Sequence, residues 1–350
     1  MNGLMRGSVL VEARRLEIRD VPVSPMEPGD VLVEIAAVGL CGSDVHFFEH
    51  GNVGDLVVEQ PLILGHEASG AIVAVSDDVD PARIGERVAI EPQRPCRRCR
   101  ACLGGRYNMC DRMRFPSAPP EDGAFAQYLA VPADFAHPIP DSMSFDEAAL
   151  VEPLSVGIAA VRKAGIVPGS TVLVAGAGPI GILTAAAARA FGASRVIVAD
   201  PLPERRAIAL AHGATEAIEP YAVADLDGTL DVFIDASGAR PAIASGLRAL
   251  RGSGRAALVG MGAASVELDM FLLQSRELRV EGLFRYVDTW PVGIHLIASA
   301  QVRVDDLVTE RGGLDAVERF MNRNKDADVM KLIVDPRIVA DAAPQKEDHS

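Results

Sequence analysis

The stretch VLVAGAGPIG, residues 172–181, constrains the fold of this chain more than any other. A short β-branched run leads into three glycines, Gly176, Gly178 and Gly181, and an Ala/Leu-rich segment follows. In G-x-G-x-x-G spacing the first glycine allows a tight turn and the second lets a pyrophosphate approach the backbone. The third lets helix and strand pack closely, with the helix N-terminus facing the anion. Glycines mark many tight turns, so the context decides. From about residue 155 the pattern alternates strand and helix: STVLVAG, SRVIVAD, LDVFIDASG, GRAALVGMG and LRVEGLF, with helical segments between. Such alternation implies a doubly wound parallel sheet covered by helices on both faces. Nineteen residues after Gly181, Asp200 closes the second strand. A carboxylate there accepts from a ribose 2′-hydroxyl and repels a 2′-phosphate, which favours NAD over NADP. Arg205 reads as packing beside the adenosine rather than as a phosphate clamp. The plainer reading of Asp200 is a solvated strand end before Pro201.

Residues 171–188 carry no charge and approach the minimum length for a bilayer span. Their interior is instead a strand, a glycine turn and a helix buried on most sides, as a water-soluble α/β core requires. With 350 residues, 49% of them hydrophobic, the chain has material for about two domains. Residues 1 to about 150 read as short strands broken by turns, an irregular and mostly β region. After Tyr286 come at least one amphipathic helix (LDAVERFMNRN) and a strand (MKLIVDP), and residues 339–350 are polar and expected to fray. Residues 1–40 hold no basic start followed by an apolar run, so a cytoplasmic protein is expected. The net charge of -14 disfavours a long phosphate-binding surface. The arginines at 94, 97, 98, 100 and 106 form a single basic patch, which keeps a nucleic-acid-binding alternative in view but does not favour it.

Four of the five cysteines, Cys96, Cys99, Cys102 and Cys110, fall within fifteen residues. In a reducing compartment such a cluster is a metal or redox site more often than a disulfide framework. Cys-x2-Cys-x2-Cys-x7-Cys supplies four soft thiolates, enough to close a tetrahedral shell around a structural zinc. An iron-sulfur cluster also takes four thiolates; zinc is the simpler occupant. Cys41 has other company. It sits in GLCGSDVHFF, and twenty-five residues later LGHEASG supplies His66 and Glu67. Cysteine, histidine and carboxylate make a three-ligand set that leaves a fourth position open, as a catalytic zinc needs. Taken alone, Cys41 reads equally well as a core thiol and His66 as a turn histidine. Ser43 and His46 place a hydroxyl and an imidazole three residues apart, a route by which a proton could reach solvent.

Taken together, these residues resemble the zinc-containing medium-chain alcohol dehydrogenases and, within them, the sorbitol (polyol) dehydrogenases. The matching motifs are GLCGSDVHFFEHG, LGHEASG, the cysteines from Cys96 to Cys110 with GRYNMC, PPEDGAFAQY, VEPLSVGIAA, VAGAGPIG and FRYVDTWP. They span nearly the whole chain. The resemblance implies a GroES-like, mostly β catalytic domain from residues 1–154 and 286–350, with a Rossmann domain at 155–285. It implies two zinc ions per chain, and NAD as cofactor. Cys41, His66 and Glu67 would hold the catalytic zinc, with Glu152 beside it as alternate ligand or hydrogen-bond partner; which glutamate is the resting ligand stays open. Ser43 and His46 match proton-relay positions. Arg285, Tyr286, Glu152, Phe47 and Phe115 match substrate-contacting positions. Gly176, Gly178, Pro179, Ile180, Gly181, Asp200, Arg205, Val259, Gly260, Leu283 and Phe284 match cofactor positions. Some animal polyol dehydrogenases lack the four-cysteine lobe that this chain keeps. The implied reaction is hydride transfer from a secondary hydroxyl of a small polyol to NAD+, giving the ketose, in a homotetramer that binds neither nucleic acid nor membrane. A sugar acid or threonine is the alternative substrate, and a dinucleotide-sensing binding protein the alternative outside enzymes.

Overall fold

The computed structural model describes residues 3–262 and 264–338, so the expected polar tail at 339–350 lies outside the described residues. Residues 171–282 form a six-stranded, all-parallel sheet. Its strands, in spatial order, are Glu216–Ile218, Arg195–Ala199, Thr171–Ala175, Leu230–Asp235, Leu250–Leu258 and Arg279–Gly282. The order reverses between Thr171–Ala175 and Leu230–Asp235. In open α/β sheets a ligand crevice opens at that switch, outside the carboxyl ends of the strands. Val172, Val174, Val196, Val198, Val232 and Ile234 are all buried, as a sheet covered on both faces requires. The uncharged stretch 171–188 resolves into the strand Thr171–Ala175, a turn and the helix Pro179–Ala190. Among the described residues no helix is long and apolar enough to cross a membrane.

The other unit is mostly β. A seven-stranded sheet runs Ala136–Pro138, Arg87–Ile90, Glu67–Val75, Asp30–Gly39, Lys331–Val334 and Val308–Gly312, with Tyr128–Pro132 also paired to Asp30–Gly39. Strand Lys331–Val334 lies against Asp30–Gly39, so the C-terminal part of the chain completes a sheet begun near its N-terminus. A three-stranded sheet joins Arg15–Pro22, Leu4–Glu12 and Leu62–Ile63.

Two segments connect the units. The helix Val151–Ala164 runs straight through the expected boundary at 154/155: its first turn carries Glu152, and further along it packs on Pro179–Ala190. Gly157 makes that packing possible, since a Cβ there would stand 3.0 Å from the Thr184 backbone nitrogen. The return crossing is the segment 283–289, which leads into the helix Trp290–Ala298. Arg285 and Asp288 both have left-handed backbone conformations in it, φ 57° and 51°.

Candidate active site and cofactor crevice

Cys41 ends an extended stretch and caps the helix Gly42–His50; its amide donates to Asp44 Oδ2 at 3.1 Å, closing a capping box. His66 and Glu67 stand at the start of the strand Glu67–Val75. One ligand atom from each of Cys41, His66 and Glu67 lies within 4.8 Å of the others. Zinc–ligand bonds of about 2.0–2.3 Å in tetrahedral array need donors no farther apart than that, so the set fits a zinc ion. His66 Nδ1 stands 3.4 Å from Asp44 Oδ1 and has no well-aligned hydrogen bond, which leaves Nε2 for a metal. Burial works against charge on His66, yet Asp44 and then Cys41 outweigh it and hold the imidazole well above its ordinary pKa. Asp44 places negative charge beside His66, which favours a metal cation at the ring once its proton has left. Asp44 is fully buried; its Oδ1 also accepts from Ser117 Oγ at 2.7 Å and the Gly65 amide at 3.1 Å. Despite burial, His66 and these donors keep its carboxyl below the usual range.

Glu67 is paired with a second buried residue. Lys331 Nζ forms an ion pair with Glu67 Oε2 and donates to the Leu40 carbonyl at 2.9 Å, and both side chains are nearly inaccessible. A Cβ on Gly39, across the sheet from Glu67, would collide with that carboxylate. Glu152 accepts a 2.6 Å hydrogen bond from the Tyr286 hydroxyl. Burial, reinforced by Glu67 and opposed by His66, pushes its pKa up to about 7. The ligand atoms that converge within 4.8 Å come from Cys41, His66 and Glu67, with Glu152 beside them.

Around this centre the expected substrate residues separate. Phe115 lies 5.5 Å, ring to ring, from His66, and the Arg285 guanidinium covers the Phe115 ring at 4.1 Å. Tyr286 is buried, edge-on to Trp290 at 4.7 Å. Phe47 is 4% exposed and belongs to the apolar core with Val45 and Phe48, so of the two phenylalanines only Phe115 stands at the His66 ring. Ser43 is half-buried and His46 exposed on the helix Gly42–His50, an arrangement that leads from the interior to solvent.

The expected cofactor residues lie at or beyond the carboxyl ends of the parallel strands. Gly176 is left-handed at φ 95°, and a Cβ on Gly181 would strike the Gly176 carbonyl, so both glycines are sterically required. Gly178 caps the helix, followed by Pro179 at its first position and then Ile180. A Cβ on Gly178 would meet only Arg205, at 3.6 Å, so space remains above it for a ligand to approach. Asp200 accepts from the Ala177 amide at 2.8 Å and from the Leu202 amide at 2.9 Å, tying the second strand to the glycine turn. Val259 and Gly260 leave the end of the fifth strand with their amides on the Asp235 carbonyl, and Leu283 donates to the Leu258 carbonyl at 2.9 Å. Phe284 beside it is exposed.

The four thiols of Cys96, Cys99, Cys102 and Cys110 also converge within 4.8 Å of one another. The Cys96 and Arg112 amides point at Cys110 Sγ, at 3.2 and 3.4 Å. Amide donation, foremost from Cys102, lowers the Cys99 pKa to about 6. Such amides favour the thiolate of Cys99, the form in which cysteine binds metal, whereas burial and the neighbouring thiols push Cys102 up to about 12. Of the neighbouring basic patch, Arg94 grips Asp30 with both Nη atoms, at 2.8 and 2.9 Å, and Arg97 pairs with Asp134 at 2.5 Å, so part of its charge is already matched.

Sequence reasoning overlooked Asp44, Lys331 and Asp235. Asp44 had a local signal, an acid at the third position of a helix capped by Cys41. Asp235 had one too, an Asp-Ala-Ser-Gly turn at a strand end, where its carboxylate accepts from Ser237 and Gly238. Lys331 had none.

Residues 27–141 match the alcohol dehydrogenase GroES-like domain, and residues 179–299 match the zinc-binding dehydrogenase family. The chain is 40% identical to a sorbitol dehydrogenase of Bacillus subtilis over 91% of its own length and 93% of the relative's. It is 40% identical to a probable D-xylulose reductase A of Neosartorya fischeri, over 86% and 88% respectively. A zinc-binding dehydrogenase of Sinorhizobium meliloti bound to NADP superposes with TM-score 0.88 at 30% identity, covering 95% of this chain and all of that one. With the three-ligand set, the four-thiol lobe and the six-stranded sheet in their places, the chain belongs to the zinc-containing medium-chain dehydrogenases.

Proposed function

We propose that the protein is a zinc- and NAD-dependent polyol dehydrogenase, taking hydride from a secondary hydroxyl of a sorbitol-, xylitol- or arabitol-type substrate and giving the ketose. The observation that carries this reading is the trio Glu152, Tyr286 and Arg285 beside the three-ligand set: a buried carboxylate and phenol hydrogen-bonded to each other, and a half-buried guanidinium over the Phe115 ring, offer a hydroxyl-rich ligand both an acceptor and donors. The names of the relatives, sorbitol dehydrogenase and D-xylulose reductase, support the same substrate class.

Cys41, His66 and Glu67 would hold the catalytic zinc, which when bound supplies Lewis acidity that makes the substrate hydroxyl a better proton donor. Asp44 fixes the His66 ring and Lys331 fixes Glu67. Glu152 accepts from a neighbouring hydroxyl of the substrate, and Arg285 donates to one farther along. Phe115 covers the carbon chain. Ser43 and His46 carry the released proton outward. The glycine turn and the N-terminus of Pro179–Ala190 receive the pyrophosphate, Asp200 and Arg205 the adenosine, and 259–260 with 283–284 the nicotinamide side. Cys96, Cys99, Cys102 and Cys110 would hold the second, structural zinc. The domain division follows, with 155–285 as the nucleotide domain and residues 1–154 and 286–350 as the catalytic domain. The unpaired edge strand Arg279–Gly282, with Met270 and Phe271 exposed near it, supports a homo-oligomer, for which we favour a tetramer in the cytoplasm.

The test is NADH formation on adding xylitol or sorbitol with NAD+ to zinc-replete protein, with Cys41→Ser as control. Turnover that disappears in the variant supports the proposal. Highest turnover with threonine or a sugar acid would move the substrate class, and no turnover with any alcohol, together with salt-sensitive binding to DNA or RNA, would replace an enzyme by a binding protein.

A further inference from the structure

The segment carrying Arg285 and Tyr286 is held along one edge by side chains from the cysteine lobe and the strand that leads to it. Asn108 Nδ2 donates to the Phe284 carbonyl at 2.8 Å, Gln93 Nε2 to the Tyr286 carbonyl at 3.3 Å, and the Asp288 amide donates to the Tyr107 hydroxyl at 2.7 Å. The three contacts fall on alternate residues, 284, 286 and 288, and span the two left-handed residues. A left-handed φ at Arg285 crowds its Cβ against the following carbonyl oxygen, so that conformation persists only where the surroundings impose it, and Asp288, a residue type that tolerates this region more readily, adopts it again three positions on. The grip has a rigid base. Buried Glu91 accepts from Tyr107 at 2.8 Å and from Gln93 at 2.9 Å, and meets His137 Nε2 at 3.1 Å; the His137 ring in turn stacks on Trp290. Tyr107 and Asn108 lie in the short turn Tyr107–Met109 that ends at Cys110.

We infer that Tyr107 and Asn108 are positioning residues for the substrate, through which the four-thiol lobe sets the placement of Arg285 and Tyr286 and so the selectivity for polyhydroxylated chains. The lobe therefore does more than stabilise its own loop: it is one jaw of the clamp that shapes the pocket. The inference rests on the proposal that Arg285 contacts a polyol.

The test uses the full-length, zinc-replete protein and the variants Tyr107→Phe, Asn108→Ala and Arg285→Ala, singly and combined. Removing the Tyr107 hydroxyl strips the Asp288 amide and Glu91 of a partner. For either lobe variant, KM for xylitol should rise by about tenfold while kcat and KM for NAD+ change by less than about threefold. Zinc content by elemental analysis should stay at the parent's value. In an Arg285→Ala background the lobe substitutions should have less than their full effect, because part of it is carried by that side chain and the rest by Tyr286. The inference is overturned if both lobe variants leave KM for xylitol unchanged, if kcat and KM for NAD+ move as much as KM for xylitol, or if their effects add in full to Arg285→Ala. Asn108→Ala serves if Tyr107→Phe folds poorly. A parent that turns over xylitol but is indifferent to Arg285→Ala would overturn the substrate reading itself, a different outcome from indifference to the lobe variants alone.

Discussion

Asp44 serves three groups at once: it caps the helix that begins after Cys41, orients His66 and anchors the Gly65 turn through Ser117. Two of the proposed metal-ligand positions thus depend on one buried carboxylate. Asp44→Asn keeps an acceptor for the cap but removes the charge that faces His66, so zinc affinity should fall by about 10–100-fold. Competition against a chelator measures this, and retention equal to the parent's would show that Asp44 only caps the helix. Cys41→Ser should abolish turnover and leave the fold largely intact, checked by circular dichroism beside the kinetic assay, because Cys41 is partly exposed at a helix start rather than part of the core.

At the scale of elements, the glycine turn and the cysteine lobe are each built from residues close in sequence. Both were legible for that reason: spacing marks the thiols that converge, and spacing together with the flanking strand and helix marks the glycine turn. The same holds for Asp200, which sits where the second parallel strand must end. Its structural duty was not legible, since the hydrogen bond to the Ala177 amide joins two turns. Asp200→Ala should therefore do two things. The NAD/NADP ratio of kcat/KM should fall by about one to two orders of magnitude as the repulsion of a 2′-phosphate disappears. KM for NAD+ should also rise, because the turn loses a partner. Steady-state kinetics with both cofactors decides, and an unchanged ratio would mean that the carboxylate does not touch the ribose. In the lobe, Cys99→Ser should remove about one zinc per chain and lower the melting temperature, since a structural metal is bound through folding itself. Elemental analysis giving the parent's zinc content in this variant would contradict the four-thiol assignment.

Across the whole molecule, what the sequence left hidden are the contacts that join distant segments. Lys331 reaches Glu67 across 264 positions, and Gln93 reaches Tyr286 across 193. No periodicity or spacing announces such pairs; only the closure of one sheet by a C-terminal strand, and the return of the chain through 283–289, brings them together. The expected boundary at 154/155 is blurred for a similar reason, because one helix both presents Glu152 to the catalytic centre and packs on the helix after the glycine turn. The two units thus share a site that neither completes alone. In the proposed site, a substrate that lacks the matching hydroxyls leaves Arg285 without a partner and offers nothing in exchange for the Glu152–Tyr286 hydrogen bond. The most direct measurement is kcat/KM for xylitol against 2-propanol, with NAD+ and zinc-replete protein. A site selective for polyhydroxylated chains predicts a ratio of at least about 10³ in favour of the polyol; a ratio near one, or a preference for 2-propanol, would contradict it.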